Sequence, residues 1–254
     1  MSSKRNGSSS SDKSSSKKKA RQQSLTGFFA SSKSKSSDND DNETSSSFKY
    51  KIFCDLDGVL VDFESGVKSL FNGRSPDDLH PGTMWGRISS TPNFYANLPW
   101  TADGQVLWRE LVQLPSPPDI LTGVPRNFPS RAEKFAWCQR ELSAFIGTND
   151  NSDDGNHCVA KSWTLNHVDM AGKKNNHEVV SGRKKRNGKT INVITCWSRN
   201  KHCESRTNHV LIDDRIALRD AWEENGGVFV HHTSAKRTIE ILRKRGILLE
   251  SGDE

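Results

Sequence analysis

Tyr50-Lys51-Ile52-Phe53-Cys54 is a short, mostly apolar run that ends in two carboxylates one residue apart, Asp55 and Asp57, followed at once by Gly58. Nothing else in the 254 residues constrains the chain so tightly. The run reads as a buried strand, and strand periodicity sends Asp55 and Asp57 to the same side. Two like charges that close are unfavourable unless something neutralises them. A hard divalent cation such as Mg²⁺ does so, taking carboxylate oxygens and keeping water and substrate phosphate as its other ligands. Gly58 permits a sharp turn and brings backbone N–H groups towards a bound anion. An Asp-rich turn that merely closes a strand is the competing reading, and Asp-x-Asp-Gly alone does not separate the two.

The surrounding pattern alternates strand and helix, which predicts an α/β fold: a doubly wound parallel sheet with helices on both faces. Strands are expected at 50–54, 118–122, 191–197, 209–212 and 227–231. Ser130-x-x-Glu133 reads as a capping box opening a helix to about Ile146, with Phe135, Leu142 and Phe145 inward. Ile216 to Asn225 reads as a helix stopped by Gly226-Gly227. A last helix, capped by Thr233 or Ser234, runs to Arg245 and closes at Gly246. In open sheets of this kind ligands bind outside the carboxyl ends of the strands.

Asp55-x-Asp57-Gly58-Val59-Leu60-x-Asp62-Phe63 resembles motif I of the haloacid dehalogenase superfamily of phosphohydrolases. Three further segments resemble that family's remaining signatures, in the family's order. Asp119-Ile120-Leu121-Thr122-Gly123 looks like motif II. Lys201, in Trp197-Ser198-Arg199-Asn200-Lys201, looks like the motif III lysine. Val210-Leu211-Ile212-Asp213-Asp214-Arg215 looks like motif IV. The Asp-Gly-Val-Leu variant, Ile212-Asp213-Asp214-Arg215 and the following Trp222, Gly226-Gly227 and His231-His232-Thr233 are most similar to the 5′(3′)-deoxyribonucleotidase branch. The resemblance runs from about Phe48 to Leu248, with one insertion.

What the resemblance implies is specific. Asp55 is the nucleophile, forming an aspartyl-phosphate. Asp57 protonates the departing alkoxide and then activates water, while its backbone carbonyl ligates Mg²⁺. Asp55, Asp57, Asp213 and Asp214 make up the metal site, with at least one of the last two a direct ligand. Thr122, the Gly123 amide and Lys201 hold the phosphoryl oxygens. Lys134 is the rival to Lys201, and a solvated surface lysine is the plain alternative for Lys201. His231 and His232, at a strand end, are expected to be structural.

Between motifs I and II lie about 60 residues rich in aromatics, including Phe71, Trp85, Phe94, Tyr95, Trp100 and Trp108. By resemblance part of this segment, within about 64–100, is a small helical cap over the active site. Aromatic faces there suit stacking on a nucleobase. Phe63, Trp85 and Phe94 are the expected base contacts, although aromatics in such a segment also serve to fill its own core.

Composition separates the chain into parts. Residues 1–47 hold 18 serines and almost no large apolar side chains, too little to offset ordering entropy, so a disordered tail is expected. A domain over about 48–250 follows. Within it 148–189 is a second polar stretch, expected to be a flexible insertion, with Val159 to Met170 able to form a short helix. The net charge of +6 divides into +4 in the tail, +3 in the insertion and about −1 in the remaining body. The basic balance therefore belongs to the polar segments, and direct nucleic-acid binding is expected only through them. Five cysteines with no C-x-x-C spacing fit free thiols in a reducing compartment. A metal site at Cys196 and Cys203 beside His202 and His209 is a weaker option. No long apolar run suggests a membrane span or secretory signal, so an intracellular protein is expected.

The tail carries a second signal. Gln22-Gln23-Ser24-Leu25-Thr26-Gly27-Phe28-Phe29 resembles the PIP box, the peptide that docks on the replication sliding clamp, proliferating-cell nuclear antigen. Leu25, Phe28 and Phe29 stand at i, i+3 and i+4, so one helical turn points all three into an apolar pocket, and Gln22 can hydrogen-bond beside it. Lys17-Lys18-Lys19 and Arg183-Lys184-Lys185-Arg186 suit nuclear import, which makes the nucleus the expected compartment, with the cytoplasm as the alternative. The expectation is an Mg²⁺-dependent phosphatase resembling a 5′-nucleotidase and tethered to the clamp. A DNA-end phosphatase at the fork and a non-catalytic clamp partner are the rivals.

Overall fold

The computed structural model describes residues 48–125, 129–144, 164–171 and 190–249. The tail with its Gln22–Phe29 peptide, Phe145, Ile146 and the 148–189 stretch apart from 164–171 lie outside the described residues. The described residues build one all-parallel sheet of β1 (Lys51–Cys54), β2 (Asp119–Gly123), β3 (Thr164–Asp169), β4 (Thr190–Cys196), β5 (His209–Asp213) and β6 (Val228–His231). Their order is β3-β4-β2-β1-β5-β6. The chain starts near the middle at β1, winds outward through β2, and returns past β1 to place β5 and β6 on the other side. That reversal opens a crevice at the carboxyl ends of the central strands, where α/β sheets hold ligands.

Strand alternation divides the apolar residues between two faces. Cys54, Ile120, Val193, Ile212 and Val230 share one cluster with Val67 of α1 (Phe63–Leu70), Met84 and Ile88 of α2 (Pro81–Ser89) and Trp108 of α3 (Gly104–Val112). Trp137 and Leu142 of α4 (Pro129–Ala144) and Leu242 of α6 (Ala235–Lys244) join it. Phe53, Leu121, Ile194, Leu211 and Phe229 face the other way, onto Trp222 of α5 (Arg219–Glu223). The fold is thus the doubly wound α/β class that the strand–helix alternation predicts. No helix among the described residues is long and apolar enough to cross a membrane.

The five expected strands appear within a residue or two of their expected bounds; the sixth, β3, does not follow from apolar patterning. Residues 164–169, expected at most to be helical, form an edge strand paired in register with β4 from Thr164↔Thr190 to Asp169↔Thr195. Its side chains are bonded through polar rungs: Thr164 Oγ1 lies 3.2 Å from Thr190 Oγ1, and Asn166 Nδ2 donates to Asn192 Oδ1 at 3.0 Å. Helix boundaries hold with two corrections. Ser130 lies inside α4 rather than capping it, because the helix already starts at Pro129. The segment after β5 begins as a 3₁₀ turn, Ile216–Leu218, before α5. Ser234 does cap α6, accepting from Arg237 N at 3.2 Å, and Gly246 ends it at φ +64°.

Asp119 fastens the sheet's centre. Its fully buried carboxylate pairs with Lys51 of β1 and accepts from Asn192 of β4, from the backbone N at 3.0 Å and from Nδ2 at 3.2 Å. Three strands therefore meet at one acidic side chain. Asp119→Ala leaves the Asn192 amide and the Lys51 ammonium without that carboxylate, and should cost about 3 kcal/mol or more in urea unfolding.

Candidate active site

Leu56 to Val61 form a tight turn directly after β1. The N–H groups of Val59, Leu60 and Val61 all converge on Leu56 O, at 2.8–3.1 Å. Gly58 sits in it at φ +77°, and a Cβ there would come within 2.2 Å of Asp214 Oδ2. Both the backbone angle and the close approach require glycine. The turn thereby presents Asp55 and Asp57 to the crevice beside Asp214.

Asp55 is 4% exposed. Its Oδ1 accepts from Leu56 N at 2.8 Å, and its Oδ2 stands 2.7 Å from Lys201 Nζ. Lys201, 1% exposed, lies in the 3₁₀ stretch Ser198–Glu204 and also bonds Asp213 Oδ2 at 2.6 Å. Burial alone would lower the lysine's pKa; Asp55 and Asp213 outweigh it, and the ammonium is held charged. Asp213 is fully buried and its other oxygen accepts from Arg215 N at 2.9 Å. Burial and the Asp55 charge push its carboxyl up, against Lys201. Asp214 is pushed up to about 7 by burial, then by Asp55 and Asp213.

Asp57 belongs to a second centre. Its Oδ2 accepts from Lys134 Nζ of α4 at 2.5 Å, and the same ammonium donates to Thr122 Oγ1 at 3.0 Å and Gly123 O at 2.8 Å. Burial raises the Asp57 carboxyl above its ordinary value, Lys134 opposes this, and Asp55 adds to the rise. An acid raised in this way is suited to exchanging protons.

Asp55, Asp57, Gly123 and Asp214 line a cavity of about 600 Å³, walled on one side by Phe63, Trp85 and Tyr95 and bordered by Ser198 and Arg215. Thr122, Lys201 and Asp213 are buried and do not line it. Phe94, expected at the base, is 6% exposed and packs edge-on against Phe63 and Tyr95 instead. The wall position passes to Tyr95, one residue on, because the chain turns into a 3₁₀ helix at Tyr95–Asn97. Lys134 is a site residue in its own right, alongside Lys201 rather than instead of it. Of the two histidines, His231 Nε2 bonds Asp214 O at 2.9 Å and His232 Nδ1 bonds Thr238 Oγ1 at 2.9 Å.

Asp55, Asp213 and Asp214 bring one carboxylate oxygen each within 4.8 Å of one another, and no other such cluster occurs among the described residues. Cys196 and Cys203 belong to no such cluster among the described residues. Three carboxylates and one ammonium leave a formal charge of −2, and Asp214 Oδ1 is buried with no hydrogen-bond partner among the described residues. Hard oxygen donors with that charge fit a cation such as Mg²⁺. The Asp57 side chain, paired with Lys134, is not part of the cluster.

No family model matches the sequence, and no curated protein matches it. Among solved structures the chain is similar to the crystal structure of a HAD family hydrolase from Deinococcus radiodurans R1 with bound phosphate and sodium. The two are 14% identical with a TM-score of 0.35, over 80% of this chain and 100% of that one.

Millimolar Mg²⁺ should raise the thermal midpoint by about 3–6 °C, corresponding to binding at tenfold over Kd. Asp214→Ala should lose that response while keeping the fold. An equal Mg²⁺ response in wild type and variant counts against the carboxylate cluster as the cation's site.

Proposed function

We propose that this protein is a Mg²⁺-dependent phosphomonoesterase of the haloacid dehalogenase type, acting most readily on 5′-mononucleotides. The observation that carries the reading is the pairing of two carboxylates with two different lysines beside one cavity: Asp55 with Lys201, and Asp57 with Lys134. Two acids only two residues apart are thereby given unequal surroundings, which is how one site obtains both a nucleophile and a proton donor.

In this reading Asp55 attacks phosphorus, a P–O bond forms to its carboxylate, and the ester P–O bond breaks. Asp57 gives its proton to the departing alkoxide. It then takes one from the water that attacks the aspartyl-phosphate, releasing inorganic phosphate and restoring both acids. A bound cation, held by Asp55, Asp213, Asp214 and by resemblance the Asp57 carbonyl, supplies charge neutralisation for the phosphoryl group. Thr122, the Gly123 amide and Lys201 would hold the phosphoryl oxygens, with the buried ammonium groups of Lys134 and Lys201 supplying positive charge beside the two acids. The aromatic wall of Phe63, Trp85 and Tyr95 offers a base-sized surface that a duplex end would have to displace.

Phosphate release from mononucleotides and from 5′- or 3′-phosphorylated DNA ends tests this directly. A mononucleotide should exceed a duplex end by at least about tenfold in kcat/KM, ~1.4 kcal/mol of transition-state binding. Asp55→Asn should abolish turnover with the fold intact. Substantial turnover by that variant sinks the mechanism, and a DNA end outrunning every mononucleotide installs the strand-end reading in its place.

We further propose that Gln22, Leu25, Phe28 and Phe29 dock on the sliding clamp in the nucleus, on the strength of the i, i+3, i+4 spacing. Changing Phe28 and Phe29 together to Ala should remove clamp capture and leave mononucleotide turnover unchanged, because peptide and site lie on separate segments. Wild-type capture by the double variant rejects the tether.

A further inference from the structure

Tyr95 is the least explained residue of the cavity. Its side chain is 3% exposed and lines the cavity alongside Asp57. Its ring stacks at 6.4 Å on Phe63 and lies 5.3 Å from Lys134 Nζ. Its hydroxyl is buried and has no hydrogen-bond partner among the described residues. Buried hydroxyls without partners are rare because they are costly, and one beside a reaction centre points to a partner that arrives with the ligand. Burial, and then the charges of Asp57 and Glu133, hold the phenol protonated, so the group it offers is a donor.

The backbone around it is fixed from α4. Glu133 accepts from Asn93 N at 2.9 Å through Oε1 and from Tyr95 N at 3.0 Å through Oε2. These amides open the 3₁₀ turn Tyr95–Asn97, where no intrahelical acceptor exists for them, and Asn93 is held at φ +60°. The next residue along α4 is Lys134, which grips Asp57. One turn of helix thus sets Tyr95 and the proton-donating acid relative to each other.

We propose that the Tyr95 hydroxyl is a substrate-binding group, donating a hydrogen bond to an oxygen of the sugar on the reacting phosphate, and that Glu133 is its positioning residue. The proposal rests on the phosphomonoesterase reading and names the side chain that recognises the sugar half of its mononucleotide substrate.

The full chain is assayed with a nucleoside 5′-monophosphate and with phenyl phosphate, whose leaving half has no sugar oxygen. Tyr95→Phe should lower kcat/KM about fivefold on the nucleotide, the worth of one ordinary hydrogen bond, and leave phenyl phosphate within about twofold. The variant should be at least as stable as wild type, since it removes an unpartnered buried group. Glu133→Ala should lose at least as much on the nucleotide. Adding Tyr95→Phe to it should cost little more, a non-additivity that a purely structural role for Glu133 does not give. Equal losses on both substrates, or none on the nucleotide, overturn the proposal. A wild type inactive on both substrates sinks the phosphomonoesterase reading itself. Calorimetric titration with the nucleotide then decides separately: equal affinity for wild type and Tyr95→Phe overturns the role of the hydroxyl, and a fivefold loss upholds it.

Discussion

Lys201 is buried among groups that would be unstable without it. At 1% exposure its ammonium has lost its hydration, and Asp55 at 2.7 Å and Asp213 at 2.6 Å replace that hydration. The reverse holds equally: without the lysine, two buried carboxylates would face each other and Asp214 across a few ångströms. The interaction spans the carboxyl ends of β1 and β5 and the 3₁₀ stretch after β4, so the site's charge balance and the closure of the crevice depend on one another. Removing one partner of such a set is far more damaging than the net worth of the set suggests, because the survivors stay buried. Gly58 belongs to the same constraint, since a side chain there would collide with Asp214.

Helix α4 does for the second centre what the Lys201 stretch does for the first. Three residues of its first two turns reach three parts of the molecule. Arg131 Nη1 bonds Asp169 Oδ2 of the edge strand at 2.8 Å, Glu133 holds the Asn93–Tyr95 turn, and Lys134 holds Asp57 and Thr122. Further along, Trp137 Nε1 donates to Leu98 O at 2.8 Å, fixing the end of the segment that carries the aromatic wall. The edge strand β3 is therefore tied to the site through Arg131. Its polar composition suits a sheet edge that must pair on one side only.

The central strands were legible because their signal is apolar and continuous: Ile52-Phe53-Cys54 and Val210-Leu211-Ile212 are buried on both faces and admit little else. The acids of the site were legible for a related reason, as charges placed directly after such runs need a partner. β3 was not, since Thr164-Leu165-Asn166-His167-Val168-Asp169 earns its place through cross-strand polar pairs that exist only once β4 lies beside it. The exchange of Phe94 for Tyr95 at the wall has the same origin. Both are aromatic, and only the 3₁₀ turn, itself fixed by Glu133 about 40 residues away, decides which one faces the cavity. Lys134 and Lys201 look interchangeable in sequence because one phosphate site calls for one lysine, whereas the fold pairs Lys134 with Asp57 and Lys201 with Asp55 and Asp213.

Charge placement bears on how an anionic substrate would meet this site. The basic excess sits in residues 1–47 and 148–189, while the remaining body is near neutral and the carboxylate cluster carries a net negative charge. Such a surface does not gather polyanions by itself, and a phosphate approaching Asp55 is repelled until a cation offsets the cluster. Divalent-ion loading and substrate capture are for that reason linked steps in the proposed reaction. The proposed tether bears differently on the two substrate classes. It raises the local concentration of a polymer held at the clamp to about the millimolar range, whereas a freely diffusing mononucleotide gains nothing in encounter rate. For the latter a tether sets where product appears rather than how fast it forms. The wall of Phe63, Trp85 and Tyr95 over a cavity of about 600 Å³ favours the smaller ligand on steric grounds, so the tail and the cavity draw the function towards location and towards small substrates respectively.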